Sequence, residues 1–198
     1  MDATIIVATY GNGDWLAVGN DTAQRTEDIL QYPVIRVHGG ASVAQCRNAG
    51  AALADTEWLC FLDAGDYLSF DYFNVMDGIE GDLFAPRLVF NYGNNVTDEP
   101  FDLTQRDIDH GNPCCIGTLI RKEMFDRVGG FWEEPAYEDW SLFRRAWLSG
   151  AKIVHTQAFY YAKVDPHGRN STVADPIGLI KQIQTSHREW YDNITNND

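Results

Sequence analysis

The stretch WLCFLDAGD, residues 58–66, decides the fold. Its first five residues, Trp58–Leu62, are apolar without alternation, which predicts a strand buried on both faces at the centre of a mostly parallel sheet. The strand runs into the acidic turn 63–66. In such sheets ligands bind beyond the carboxyl ends of the strands, so the sequence places Asp63 and Asp66 where a ligand would bind.

The sequence before this stretch alternates strands and helices. Residues 4–10 and 33–38 are β-branched runs that predict two strands, with a helix between them. Ser42 and Gln45 have the spacing of a capping box, which predicts a helix that continues to Ala54. This order of elements predicts an α/β single-domain sandwich with a mostly parallel central sheet flanked by helices.

The second half of the chain continues the pattern without a repeat or a linker. We therefore expect one domain over residues 1–191 and a polar tail over 192–198. The expected strands are 83–90, 115–120, 152–155 and 159–164, and the expected helices are 122–128, 138–149 and 176–191.

Charge excludes one class of partner. The 198 residues include 15 Lys and Arg against 29 Asp and Glu, a net charge of −14. A protein that binds duplex nucleic acid needs a basic face, so we expect no such partner. A nucleotide is not excluded, because a metal ion can bring it to an acidic site. The sequence contains no apolar run of transmembrane length and no leader pattern, so we expect a cytoplasmic protein.

Several polar residues have both a structural and a functional interpretation. Asp63 and Asp66 could share a divalent cation or cap the turn after their strand. Glu138 and Asp139 could supply a general base or simply favour a helix start. His167 could be a metal ligand or an exposed loop residue. Four arginines could contact phosphate or lie on the surface: Arg47, Arg144, Arg145 and Arg169.

Five segments, taken in order, resemble family 2 glycosyltransferases of the GT-A fold, in particular small single-domain members of bacterial or phage type. The similarity spans about residues 4–172. The segments are the first strand Ile5–Tyr10, the "a-R-N-x-G" helix Cys46–Gly50, the Asp-x-Asp region Leu59–Asp66, the "v-G-G-F … E-D-w" segment Val128–Phe131 with Glu138–Trp140, and the histidine-containing segment Tyr161–Ser171.

The resemblance implies an inverting, hexosyltransferase-type transfer from a nucleotide-sugar donor to a hydroxyl acceptor, assisted by Mn²⁺ or Mg²⁺. It implies a role for each matching position. Thr9 and Tyr10 would line the base pocket, Arg47 would face the donor, Asp63 and Asp66 would hold the ribose, sugar and metal-diphosphate region, His167 would be a further metal or phosphate contact, Asp139 would be the base, and Glu138 would contact the acceptor or orient Asp139.

Two features depart from the family pattern. The middle position of the Asp-x-Asp region is Gly65, and the usual strand with Asp-Asp-Gly-Ser has no counterpart. One alternative is therefore a catalytically silent protein of this fold that binds nucleotide or carbohydrate. Another is a nucleotidyltransferase, which the Glu138-Asp139 pair disfavours because phosphoryl chemistry needs no such base. The acceptor stays open among carbohydrate, glycolipid, protein and nucleobase-type hydroxyls.

Overall fold

One seven-stranded sheet with helices packed on it organises the computed structural model, which describes residues 1–92, 96–97, 99–164 and 172–196. The strands are β1 Ala3–Thr9, β2 Val34–His38, β3 Trp58–Leu62, β4 Tyr67–Leu68, β5 Leu83–Asn91, β6 Leu119–Arg121 and β7 Ile153–Lys163. The helices are α1 Gly13–Leu30, α2 Val43–Leu53, α3 Lys122–Arg127, α4 Glu138–Leu148 and α5 Pro176–Thr195, with a short 3₁₀ turn at Asn74–Met76.

The strand order is β2-β1-β3-β6-β5-β7-β4. β1 is parallel to β2 and β3, and β5 is parallel to β7. β6 lies antiparallel between β3 and β5, and β4 is antiparallel to β7. Because two reversals restore the direction, β1, β2, β3, β5 and β7 all run the same way. The expected α/β architecture with a mostly parallel sheet is confirmed.

β3 lies inside the sheet, as its apolar sequence predicts. Its five residues are all buried. β1 pairs with it on one side, where Val7 faces Leu62, and β6 pairs with it on the other. Both Thr9 and the turn 63–66 therefore leave the sheet at the edge where the parallel strands end.

α2 packs very closely against β1. The Ser42 hydroxyl accepts from the Gln45 backbone N–H at 3.1 Å, and the Gln45 side chain accepts from the Ala41 backbone N–H at 3.0 Å. The predicted cap is therefore present. A Cβ at Gly50 would lie 2.4 Å from Cγ2 of Ile6. The glycine thus allows the helix to approach the strand, which positions Arg47 near the edge of the sheet.

The structure differs from the sequence prediction in four elements. β6 begins at Leu119, because residues 115–118 form a turn closed by the Thr118 N–H and the Cys115 carbonyl. β7 is one strand, because its pairing with β5 continues through a shift of register and joins the two predicted strands. β4 was not predicted. α5 continues to Thr195, so residues 192–195 of the predicted tail are helical.

Within the described ranges, no helix has the length and apolar character needed to cross a membrane.

Candidate active site

Arg47 joins two acidic segments that are far apart in sequence. Its Nη2 donates to Oδ1 of Asp63 and its Nη1 donates to Oε1 of Glu138, both at 2.6 Å. Its side chain is almost fully buried and lies over the ring of Phe131, 5.0 Å from the centroid. Burial opposes its charge, but the two carboxylates outweigh this effect and raise the pKa of the guanidinium above its ordinary value. Asp63, Arg47 and Glu138 therefore form a continuous ion-pair chain.

Asp63 is the solvent-exposed end of this ion-pair chain. It directly follows β3, and 46% of its side chain is accessible to solvent, against 6% for Glu138. Its Oδ1 is held by Arg47. A carboxylate with one anchored and one solvent-facing oxygen can still accept hydrogen bonds from a ligand.

Glu138 and Asp139 begin α4 at a strained point of the backbone. Tyr137, the residue before them, has φ +62°, a left-handed conformation that a bulky residue rarely adopts. The Asp139 carboxylate accepts from Nδ2 of Asn112 at 2.9 Å and from the Trp140 backbone N–H at 2.8 Å. Burial and the neighbouring Glu138 raise the pKa of Asp139 to about 6. A carboxylate poised near neutral pH is suited to general base catalysis.

Asp139 also forms part of the wall of a cavity of about 390 Å³. Phe101, Arg106 and Asn112, from the segment between β5 and β6, line the cavity beside it, and Ile180 of α5 contributes to the same wall. A second cavity of about 400 Å³ shares part of its lining with the first, including Phe101, but none of the predicted site residues lines it. The first cavity is therefore the one that Asp139 lines.

Asp66 points into the protein instead of into this space. Tyr160 donates its hydroxyl to Oδ2 at 2.6 Å, and the Lys163 backbone N–H donates to Oδ1 at 2.7 Å. The residue is only 7% exposed. Burial, followed by the charge of Asp63, raises the pKa of Asp66 to about 7. Asp66 thus ties the turn after β3 to β7.

The expected metal ligands are only partly assembled. His167 lies outside the described residues. Asp66 is buried with both oxygens hydrogen-bonded within the protein, and Gly65 supplies no side-chain ligand, which leaves Asp63 as the accessible carboxylate. Among the residues that the structure describes, no three His, Cys, Asp or Glu side chains form a group that could hold a metal ion. This donor set fits a divalent cation poorly.

Thr9 and Tyr10, the expected base-pocket residues, lie at the end of β1. The Thr9 hydroxyl is 2.9 Å from Nδ1 of His38, and the residue is buried. A Cβ at Gly19 would lie 2.8 Å from Cγ2 of Thr9, so Thr9 packs directly under α1. Tyr10 is half-buried and follows the strand. Tyr10 is therefore the more accessible of the two to a ligand.

Arg144 and Arg145 fit neither of the two interpretations that the sequence allowed, a phosphate contact or a surface arginine. Both side chains are buried. Arg144 donates twice to Oδ1 of Asp109, at 2.7 and 3.1 Å, and contacts His187. Arg145 donates to the backbone carbonyls of Val128 and Gly130. These arginines hold α4 in place. Arg169 lies outside the described residues.

Sequence reasoning missed two residues that organise the site. The Asn48 amide donates to the Phe131 carbonyl and accepts from the Phe131 N–H, both at 2.9 Å. Asn112 contacts the candidate base from a loop whose sequence shows no motif. Asn48 could have been found, because it follows Arg47 in the segment that resembles the family pattern. Asn112 carried no such signal.

Comparison with known proteins identifies the fold. No protein-family model and no curated protein sequence matches the chain. Among solved structures it is similar to the S. aureus glycosyltransferase TarS, fragment 1–349, in complex with UDP (TM-score 0.65, 17% identity) and with UDP-GlcNAc (TM-score 0.64, 16% identity). Each match covers 94% of this chain but only 65% and 66% of the other, so the chain spans about two thirds of that fragment.

Another TarS structure matches with a TM-score of 0.60 and 17% identity, covering 92% of this chain and 39% of that one. Identities this low show the fold alone. The expected GT-A-like fold is confirmed.

Proposed function

We propose that this chain is an inverting glycosyltransferase that moves a sugar from a nucleotide-sugar donor to a hydroxyl acceptor. The GT-A-like fold supports the proposal, as do the complexes of TarS with UDP and UDP-GlcNAc. The observation that carries it is the ion-pair chain Asp63–Arg47–Glu138, which joins the turn after β3 to the start of α4. Asp139 follows Glu138, lies close enough to the turn for the charge of Asp63 to act on it, and lines a cavity.

Asp139 acts as the general base. Its two oxygens each accept one hydrogen bond, from Asn112 and from the Trp140 N–H, and each retains a lone pair for a proton. It takes the proton from the acceptor hydroxyl while the acceptor oxygen forms a bond to C1 of the sugar. The bond between C1 and the diphosphate oxygen breaks in the same displacement, which inverts the configuration at C1.

The remaining expected residues bind and position the donor. Asp63 presents its accessible oxygen to ribose or sugar hydroxyls, and Tyr10 lies beside the nucleotide base. Arg47 is neutralised by two carboxylates, so its part is to hold Asp63 and Glu138 rather than to bind phosphate. Glu138 in turn fixes the start of the helix that carries Asp139. The cavity between the 101–112 segment and α5 accommodates the acceptor.

Divalent-metal assistance, with Asp63, Asp66 and His167 as ligands, stays a prediction. The described residues fit a cation poorly, so no step of this mechanism is assigned to one. If a cation is bound, Asp63 is its ligand in the described part of the site.

Turnover of a donor panel tests the proposal. The purified chain is incubated with Mn²⁺ and a set of nucleotide sugars, and released nucleoside diphosphate is measured. We expect slow hydrolysis of one donor, with water as acceptor, and NMR spectra of the released sugar should show the inverted anomer first. Binding without turnover of any donor would instead indicate a silent protein. Pyrophosphate release from a nucleoside triphosphate and a sugar phosphate would indicate a nucleotidyltransferase.

A further inference from the structure

We propose that Lys163 supplies the positive charge that holds the donor diphosphate at the turn 63–66, so that nucleotide binding by this chain does not require a divalent cation. The inference rests on the proposed function. It is carried by three features of the turn: the backbone of Gly65, the contacts of Asp66, and the course of the Lys163 side chain.

Gly65 cannot readily be replaced by an acidic residue. Its φ is +96°, a conformation that L residues rarely adopt. Its N–H donates to the Thr22 hydroxyl at 2.9 Å, which fixes this peptide against α1. A Cβ built on Gly65 would lie 3.4 Å from Cδ of Lys163. The lysine side chain therefore runs past position 65, where the second carboxylate of an Asp-x-Asp motif that starts at Asp63 would begin.

Asp66 positions the lysine instead of facing a ligand. Its Oδ1 accepts from the Lys163 backbone N–H, and its Oδ2 accepts from Tyr160, three residues earlier on the same strand. Both bonds fasten the end of β7 to the turn after β3. The Lys163 side chain begins at this fastened point and is exposed.

The charges around the turn favour a fixed cation there. The positive charge of Lys163 acts on Asp66, where it opposes the rise in the pKa of that carboxyl. Arg47 is already paired with two carboxylates. A chain with a net charge of −14 repels an anionic donor, so a positive group at the turn favours donor binding. A lysine ammonium binds phosphate as a point charge without any metal.

Calorimetric titration of the full chain with UDP, first in EDTA and then with Mn²⁺, tests the inference. We expect the two dissociation constants of the wild type to agree within about threefold. Lys163→Met keeps the backbone bond to Asp66 but removes the charge, and should weaken binding in EDTA at least about tenfold. Lys152→Met, just before the opposite end of β7, is the matched control and should bind as the wild type does. Circular dichroism shows whether each variant is folded.

Each other outcome overturns the inference in a distinguishable way. If EDTA abolishes UDP binding and Mn²⁺ restores it, the nucleotide site stands but depends on metal. If binding resists EDTA and Lys163→Met binds as tightly as the wild type, another group carries the charge. If neither UDP nor any other nucleoside diphosphate binds under either condition, the proposed function fails as well.

Discussion

Asp139 is a carboxylate whose pKa is raised close to neutral pH. Burial and Glu138 raise its pKa to about 6, and a general base must be deprotonated to act. We therefore expect the rate of nucleoside diphosphate release to fall as the pH drops through about 6 and to level off above about 7. A rate measured from about pH 5 to about pH 8 checks this, with circular dichroism at each pH to exclude unfolding. A rate that is constant through pH 6 would contradict the role of Asp139 as base.

Gly65 is a residue whose backbone conformation has a measurable cost for any other side chain. Its φ of +96° disfavours a Cβ, so Gly65→Ala should lower the free energy of unfolding by about 1–2 kcal/mol. Urea unfolding measures this change. Gly13→Ala is the control, because Gly13 starts α1 with no atom within 4 Å of a built Cβ, and its stability should not fall. Equal stability of Gly65→Ala and wild type would show that the turn relaxes freely.

α2 is the element whose fit against the sheet sets the position of Arg47. Because a Cβ at Gly50 would lie 2.4 Å from Ile6, Gly50→Ala must push the helix away from β1. We expect a loss of about 1–3 kcal/mol in unfolding free energy, as for other overpacked contacts. Ala49→Met, at an exposed neighbouring position on the same helix, should change the stability by less than about 0.5 kcal/mol. Urea unfolding of both variants decides, and similar values for the two would contradict the close contact.

Most helices and strands could be predicted from the sequence, because their signals are local. The apolar run of β3 and the cap at Ser42 each predict an element that the structure contains. β4 has only two residues and exists because it pairs with β7, so no local pattern announces it. The single strand β7 likewise depends on the irregular register that its partner β5 accommodates.

The site could be predicted only in part, because its partners come from distant segments. The positions of Asp63 and Asp139 follow from the ends of elements. The Arg47–Glu138 pair spans 91 residues, and nothing near either residue shows that they meet. Asp66 has the same local signal as Asp63 but points the other way, since Tyr160 and the Lys163 N–H each donate to one of its oxygens.

At the scale of the whole molecule, Arg47 connects the first half of the sheet to α4. Arg47→Met removes one partner of the buried pair with Glu138, and breaking such a pair destabilises proteins by about 3–5 kcal/mol. We expect a loss of this size in urea unfolding. Arg36→Met is the control, because the Arg36–Glu27 pair is exposed and should contribute less than about 1 kcal/mol. If Arg47→Met is as stable as Arg36→Met, the ion-pair chain does not hold the two halves together.

The role of Asp139 as general base is tested most directly by one rate, the release of nucleoside diphosphate from a saturating nucleotide sugar by Asp139→Asn relative to the wild type. Asp126→Asn, a change in an exposed carboxylate on α3, is the matched control. We expect Asp139→Asn to be slower by about 10²–10⁴-fold with unchanged donor affinity, and Asp126→Asn to keep the wild-type rate. Turnover by Asp139→Asn at the wild-type rate, or donor binding without turnover by the wild type, would contradict this role.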